Sequence, residues 1–269
     1  MKLHLATALV AAAALGTLAA DASAQQTLKI GVLTSASGTL APVGQQVRWG
    51  FELAADEINA KGGILGRKLE LVFEDDESNP QAAARKGEKL LQQDKVDFIT
   101  GTIHSGSTLA LAQLAERNDR LAATTVSYSS NITGAQCSPN MFRVSAHAGI
   151  QAIALTTWMA KNVAAKRYAI VAPDYEMGKD AGANFEAGVK KGGGEGVVRI
   201  NPPLAAKDFS PYFNQLRSAR PEAILTMTPG NDTVRFMTQL QEQGFIDGKL
   251  VTAGAAGAAG AGVGAGAAT

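Results

Sequence analysis

The sequence predicts an α/β protein made of two lobes, each built on a parallel β-sheet. Short apolar runs alternate with amphipathic segments along most of the chain, and most of the runs are apolar without interruption. Continuous apolar runs are typical of parallel strands that are covered on both faces. Strand followed by helix, repeated many times, indicates right-handed βαβ units.

The candidate strands fall into two series, one before and one after residues 143–150. The first series holds four strands, and the second begins at Tyr168. The predicted strands are Leu28–Thr34, Leu69–Glu74, Val96–Gly101, Leu121–Val126, Tyr168–Ala172, Gly196–Ile200, Ala223–Thr228 and Lys249–Thr252. We expect the chain to cross between the lobes near residues 143–150 and a cleft to lie between the two lobes.

Two of the intervening segments carry clear helix signals. The first has apolar residues at steps of four, three and four, which places them on one helical face. They are Val47, Phe51, Ala54 and Ile58. Gly62 and Gly63 should end this helix. Asn79 followed by Pro80 supplies an N-cap and a first-turn proline for the next helix.

Both ends of the chain differ from this pattern. Residues 1–24 combine Lys2, an apolar run and a small-residue cleavage site, which predicts a secretory signal peptide and a periplasmic protein. Residues 251–269 contain 15 alanine or glycine residues in 19 positions and no charge. Such a stretch has little side chain to bury, so we expect it to be poorly ordered, and it resembles a truncated or frame-shifted end. The predicted lobes are residues 25–144 and 145–250.

Composition limits the function classes. The net charge is +1, so nothing favours a nucleic-acid partner, and Cys137 stands alone, which excludes an internal disulfide and a cysteine metal site. The acidic run Glu74–Glu77 is interpreted as a solvated strand end leading to the next helix, with a cation site as the less favoured alternative. We predict no metal and no cofactor.

The residues after the first-lobe strands are the best site candidates, because ligands of open α/β sheets bind beyond the carboxyl ends of the strands. These segments read "TSASGTL", "IHSGSTL" and "SYSSN". Hydroxyls and unpaired amides at a helix start favour a carboxylate or another anion. From the residues alone, Ser105 either contacts this ligand or only caps the helix.

Catalytic and phosphate-binding sites are less favoured alternatives. Neighbouring residues such as His104 and Ser105 point in different directions, and "IHSGS" lacks the first glycine of a Gly-x-Ser-x-Gly elbow. No Gly-x-x-x-x-Gly-Lys-Ser/Thr motif follows any strand, which argues against a phosphate loop. Tyr128 and Tyr175 follow strands of the two lobes, so an aromatic ring on each side of the cleft is expected to close over an apolar ligand; Tyr175 is equally readable as a partly exposed loop residue.

The residues from 27 to 252 resemble periplasmic solute-binding proteins of the leucine/isoleucine/valine-binding type, which serve ABC importers. The resemblance rests on several segments in order, not on any one of them. They include "LKIGVLTSASGTLAPVGQQVRWGFELAADEINAKGGILGRKLELVFEDDESNPQAAA", "GTIHSGSTLALAQLAE", "NITGAQCSPNMFRVS", "YAIVAPDYEMGKD" and "DFSPYFNQLRSARPEAILTMTPGNDTVRFMTQLQEQG".

The resemblance implies a type I periplasmic binding protein fold with two hinged, Rossmann-like lobes and no catalysis. It implies a monomer that binds an amino acid of the branched-chain type, or a related small carboxylate, and delivers it to an inner-membrane ABC permease. Ser105 and the loop Val126, Ser127 and Tyr128 would then hold the carboxylate and amine of the ligand. An exported ligand-sensing domain is the alternative, and a serine hydrolase a less favoured one.

This sequence departs from the family pattern at two places. Relatives place an aromatic residue before the glycine of the "PDYEMG" segment, where this chain has Met177, so Tyr175 is the substitute aromatic candidate. Relatives also continue for roughly another hundred residues and often place an acidic residue for the ligand ammonium near position 255, as the resemblance implies. Here alanine and glycine occupy that region, so we expect an incomplete first lobe and impaired stability and binding.

Overall fold

The computed structural model describes residues 27–246 and 250–253. The strands among these residues form two separate β-sheets. The first lobe contains a five-stranded sheet of order β2-β1-β3-β4-β5, and the second lobe contains a four-stranded sheet of order β7-β6-β8-β9. All strand pairs within the two sheets are parallel. This confirms the predicted α/β class with two parallel-sheet lobes.

The strands agree with the predicted runs to within a few residues, with one addition. They are β1 Leu28–Thr34, β2 Leu69–Asp75, β3 Phe98–Thr100, β4 Ala122–Thr124, β5 Met141–Arg143, β6 Arg167–Val171, β7 Glu195–Ile200, β8 Ala223–Thr226 and β9 Leu250–Ala253. The prediction of four strands in the first series was wrong, because β5 was missed. β5 is only three residues long and lies at the sheet edge, so it has no apolar run to reveal it.

Helices connect these strands and cover the sheets. They are α1 Ala41–Ala60, α2 Pro80–Gln92, α3 Ser105–Arg117, α4 Ala148–Asn162, α5 Glu176–Lys191, α6 Ser210–Ala219 and α7 Asn231–Glu242, with a 3₁₀ turn at Ser130–Thr133. Asn79 caps α2 as predicted, since its side chain accepts from the amides of Gln81 and Ala82.

The predicted inner face of α1 was partly wrong. Val47, Phe51 and Ile58 are half-buried, but Ala54 is exposed and its neighbour Ala55 is buried in its place. From Phe51 to Ile58, the path through Ala54 and the path through Ala55 follow nearly the same helical face, because residues three and four positions apart are neighbours on a helix. The spacing therefore located the face of α1 to within one residue.

Each lobe has its own core. In the first lobe, Leu33, Leu90, Ile99 and Leu111 belong to one cluster between the sheet and the helices α2 and α3. The second lobe has a cluster on each face of its sheet, one around Phe185 and one around Phe213 and Phe236. A fully buried aliphatic or aromatic side chain contributes about 1.5–3 kcal/mol, so these clusters hold the strand ends in place around the cleft.

The acidic run Glu74–Glu77, which begins at the end of β2, is only partly the solvated strand end that the sequence predicted, because Glu77 is exposed but Asp76 is not. Asp76 is fully buried and accepts from the hydroxyl of Ser35 at 2.6 Å and from the amide of Ser78 at 2.9 Å. Asp75 accepts from the amide of Ala36 at 2.8 Å. Burial acts to raise the pKa of Asp75, but its hydrogen bonds with Ser37, Glu77 and Ala36 outweigh this and lower the pKa. The run therefore fixes the loop after β1, which leads to the cleft.

The chain crosses from the first sheet to the second between Arg143, at the end of β5, and Ala148, at the start of α4. α4 packs in the second lobe, since Ala148, Ala152 and Met159 share a cluster with Tyr168 of β6. The limits of the lobes, given above as residues 25–144 and 145–250, stay a prediction.

Two further expectations fall largely outside the described residues. The predicted signal peptide lies entirely outside them, as do residues 254–269 of the alanine- and glycine-rich segment; residues 251–253 of that segment belong to β9. Within residues 27–246 and 250–253, no helix combines the length and the hydropathy that crossing a bilayer requires.

Candidate ligand site between the lobes

An apolar pocket lies where the carboxyl ends of the strands of the two lobes face each other. Both lobes contribute to its lining. The lining residues are Leu40, Val43, Ile103, Val126, Tyr128, Tyr175, Met177 and Pro229. Pockets of this kind, mostly apolar and with a few polar groups at the edge, are typical sites for small organic ligands.

The N-terminus of α3 lies close to this pocket, because Ile103 lines the pocket and the next residue, His104, is the N-cap of α3. The Nδ1 atom of His104 accepts from the amide of Ser107 at 3.2 Å and so caps the helix. Burial lowers the pKa of His104, an effect that the negative charge of Asp76 partly opposes. The imidazole is therefore neutral near pH 7. Because Nδ1 accepts a hydrogen bond, its proton is on Nε2.

Ser105 lies in the first turn of α3 and is fully buried. Its hydroxyl oxygen accepts from the amide of Ser129 at 3.2 Å. The helix cap is His104, so the capping alternative for Ser105 was wrong. A hydroxyl that accepts a hydrogen bond still has its proton to donate, and the first-turn amides of a helix have no acceptor within that helix. Ser105 is not among the residues that line the pocket, so its role as a ligand contact stays a prediction.

Ser127 does not line the pocket. Its hydroxyl donates towards the carbonyl of Ile103 at 2.9 Å and also contacts the hydroxyl of Thr108, which in turn bonds that of Thr102 at 2.9 Å. The Ser127 side chain thus links the loop after β4 to the loop after β3, at the carboxyl ends of these strands. Its role as a ligand contact stays a prediction.

The structure brings the other predicted residues together. Val126 and Tyr128 of the first lobe face Tyr175 and Met177 of the second. Tyr128 and Tyr175 both pack against the second-lobe core, and burial raises the pKa of each phenol. Tyr175 also contacts the ring of His104, with 5.0 Å between centroids. Tyr175 is half-buried and lies in the loop before α5, so the description as a partly exposed loop residue is confirmed, and the same residue also lines the pocket.

A polar interface joins the lobes on the crossover side of the pocket. Glu176 of α5 accepts from the hydroxyl of Ser129 and from the side-chain amide of Asn131, both at 2.8 Å. The carboxylate of Asp180 accepts from the amide of Ser130 at 2.7 Å. The crossover itself is tied to the same loop, because the amide of Ala148 donates to the carbonyl of Tyr128 at 2.7 Å.

Arg143 of β5 stabilises the first-lobe loop that forms this interface. Its guanidinium donates to the carbonyl of Ser129 at 2.6 Å and also to that of Ser127. Burial lowers the pKa of Arg143, and the nearby Asp180 carboxylate opposes this. β5, the strand that the sequence did not reveal, therefore supplies the cation that holds the ligand-side loop after β4.

Sequence reasoning missed four residues of the pocket lining, namely Leu40, Val43, Ile103 and Pro229. Leu40 and Ile103 belong to strand-end segments that the sequence singled out for their hydroxyls and glycines, and their apolar members were passed over. Position after a strand end was the signal that could have found them. Among the described residues, no three histidine, cysteine or acidic side chains are grouped to hold a metal ion.

Residues 27–269 match the sequence model of a family described as periplasmic binding protein. The chain belongs to this family. It is 30% identical over 224 residues to the Leu/Ile/Val-binding protein homolog 3 of Brucella melitensis. The matched region covers 83% of this chain and 60% of the relative. The chain therefore spans less than two thirds of the length of this curated relative.

Solved periplasmic binding proteins show the same fold. A solute-binding protein of an ABC transporter from Rhodopseudomonas palustris BisB5, in complex with 3,4-dihydroxybenzoic acid, is 32% identical, with a TM-score of 0.76 over 84% of this chain and 61% of that one. The branched-chain amino acid transporter substrate-binding protein LivJ of Streptococcus pneumoniae, in complex with isoleucine, is 26% identical, with a TM-score of 0.74 over 84% of this chain and 63% of that one. These relatives are solute-binding proteins and not enzymes.

Proposed function

We propose that this protein is the periplasmic substrate-binding component of an ABC importer and that it binds an amino acid of the branched-chain type, or a related small carboxylate. The observation that carries the proposal is the apolar pocket whose lining comes from both lobes. A ligand that contacts both walls stabilises the closed arrangement of the lobes over the open one. An inner-membrane permease would receive the ligand from the closed protein.

The chemistry of the pocket supports a ligand with an apolar body and one anionic end. Tyr128, Tyr175 and Met177 offer an apolar surface, and Ile103, two residues before the N-terminus of α3, brings the start of that helix close to the pocket. Helix N-termini favour negative charge. The neutral imidazole of His104 adds no cation, so the carboxylate is recognised by hydrogen bonds and the helix terminus.

Two ligand types share this chemistry, a branched-chain amino acid and an aromatic carboxylate. None of the described lining residues is acidic, so the lining itself offers no carboxylate for an α-ammonium group. Leucine and 4-methylpentanoate form a matched pair, because they differ only in this ammonium group. Tighter binding of leucine would assign the amino-acid type, and equal or tighter binding of 4-methylpentanoate or of 3,4-dihydroxybenzoate would assign the carboxylate type.

Thermal unfolding of the purified protein against these ligands tests the proposal. A ligand at 100 times its Kd stabilises the folded state by about 2.7 kcal/mol, which raises the unfolding midpoint by several degrees. Val126→Asp places a carboxylate in the pocket and should abolish this shift. Val144→Asp is the matched control, because Val144 is 74% exposed and lies outside the lining. The absence of a shift with every ligand, in a folded protein, would contradict the proposed function.

A further inference from the structure

Two hydrogen bonds join the lobes on the opposite side of the pocket from the crossover contacts. The hydroxyl of Thr39, between β1 and α1, donates to Asp232 Oδ1 in the first turn of α7 at 2.8 Å. Next to it, the amide of Asn231 donates to the carbonyl of Thr39 at 3.1 Å. Thr39 is 8% exposed and Asp232 is 1% exposed, so both partners are removed from water where the lobes meet.

Asp232 is held in place by its own lobe before it meets Thr39. Its Oδ2 atom accepts from the amide of Ala205 at 2.8 Å, and its Oδ1 atom accepts from the guanidinium of Arg235 at 3.1 Å. Arg235 is fixed in turn by the carbonyl of Ala206 at 2.6 Å. Only the Thr39 hydroxyl comes from the first lobe. The carboxylate is therefore preorganised as an acceptor for this one partner.

The backbone at the start of α7 has the shape that this contact needs. Gly230 has φ +53°, a conformation that costs other residues strain. A Cβ atom at this position would lie 2.3 Å from the carbonyl oxygen of Thr39. Glycine thus allows α7 to approach the first lobe closely enough for Asn231 and Asp232 to bond Thr39.

The position of the pair couples it to the pocket. Leu40 follows Thr39 and Pro229 precedes Gly230, and both line the pocket. The remaining polar bridges described above involve Ser129–Asn131, which are attached to the crossover, where a hinge rotation displaces atoms least. The bonds of Thr39 to Asp232 and Asn231 are therefore the ones that opening of the lobes breaks first.

We propose that Thr39 and Asp232 are positioning residues that form a closure latch over the ligand site. The latch raises the fraction of molecules in the closed state, with or without ligand. A larger closed fraction raises the apparent affinity, because the apparent Kd is the intrinsic Kd divided by the competent fraction. The effect on affinity rests on the proposed function, whereas the effect on closure does not.

The test measures the distance between the lobes without ligand, by pulsed electron paramagnetic resonance. One nitroxide label is placed on Cys137, which is exposed in the first lobe, and the other on a Ser218→Cys substitution on the exposed face of α6. Thr39→Val replaces the hydroxyl with a methyl group of similar size and leaves the other partners of Asp232 intact. Thr39→Ser is the matched control, because it keeps the hydroxyl. Thr39→Ala is a second variant without the hydroxyl, should valine prevent folding.

We expect Thr39→Val to reduce the ratio of closed to open molecules about tenfold, since a hydrogen bond to a charged acceptor is lost. Thr39→Ser should keep the wild-type distances. Kd for a ligand that shifts the unfolding midpoint should rise by a similar factor in Thr39→Val. Unchanged distances in the folded variants without the hydroxyl would overturn the latch. If no ligand binds the wild-type protein, the proposed function fails, and the distances still decide the latch.

Discussion

The imidazole of His104 lies against the phenol ring of Tyr175 across the cleft, with 5.0 Å between ring centroids and 31° between ring planes. His104 caps α3 in the first lobe, and Tyr175 precedes α5 in the second. The starts of two helices therefore meet beside the pocket. The contact places an aromatic wall and a helix N-terminus side by side, which is the arrangement that an apolar carboxylate requires.

Removal of the Tyr175 ring is expected to weaken ligand binding. Tyr175→Ala removes the contact with His104 and one wall of the pocket, and an aromatic contact contributes about 0.5–1.5 kcal/mol beyond its buried area. We expect Kd to rise about tenfold or more in isothermal titration calorimetry. Tyr175→Phe is the control, because it keeps the ring, and it should bind within about twofold of the wild type. Equal Kd values for the alanine and phenylalanine variants would show that the ring is not a ligand wall.

Protonation of His104 is expected to destabilise the fold in mildly acidic solution. Burial lowers the pKa of His104 below its ordinary value of 6.5. The unfolded state therefore binds more protons, and stability is retained above about pH 6.5 and decreases as the pH falls below that value towards the folded-state pKa. His104→Asn keeps an oxygen that caps α3 but does not titrate. In urea unfolding, the stability of the wild type relative to this variant should fall between pH 7 and pH 5. A pH-independent difference would contradict this.

Ser127 and Ser105 are expected to act differently. Ser127→Ala removes the buried hydroxyl that donates to the carbonyl of Ile103 at 2.9 Å, so the free energy of unfolding should fall by about 1–3 kcal/mol. Ser218→Ala, on the exposed face of α6, should stay within about 0.5 kcal/mol of the wild type. Ser105→Ala should instead raise the ligand Kd. The unfolding and binding measurements together separate the two roles, and a Ser127→Ala variant with unchanged stability would refute this assignment.

Two glycines of α1 provide a matched pair. A Cβ at Gly44 would lie 1.9 Å from the carbonyl oxygen of Ser35, whereas a Cβ at Gly50 would meet nothing within 4 Å. Gly44→Ala should push α1 away from the loop after β1 and cost about 1–3 kcal/mol. Gly50→Ala should stabilise the protein by about 0.5–1 kcal/mol through its helix propensity. Denaturant unfolding measures both changes. Equal effects of the two substitutions would show that the close approach at Gly44 does not matter.

Some elements of the fold were readable because their signal is local. The strand Leu28–Thr34 was predicted without error, since an uninterrupted apolar run depends only on neighbouring residues. The cap at Asn79 was readable for the same reason. β5 was not, because its three residues expose Phe142 at an edge and place Arg143 beneath backbone carbonyls. A strand of three residues is too short to show the alternation of apolar and polar residues from which strands are predicted.

The candidate site divides in the same way. The sequence alone determined which segments follow strands, and so which hydroxyls, glycines and aromatics border a cleft, because strand and helix signals span only a few residues. Only the tertiary structure decided three side-chain hydrogen bonds. They join Ser127 to Thr108, Ser35 to the buried Asp76, and Thr39 to Asp232, which are 193 positions apart in the sequence. These contacts depend on how the two lobes pack, and packing brings together residues that no local pattern relates.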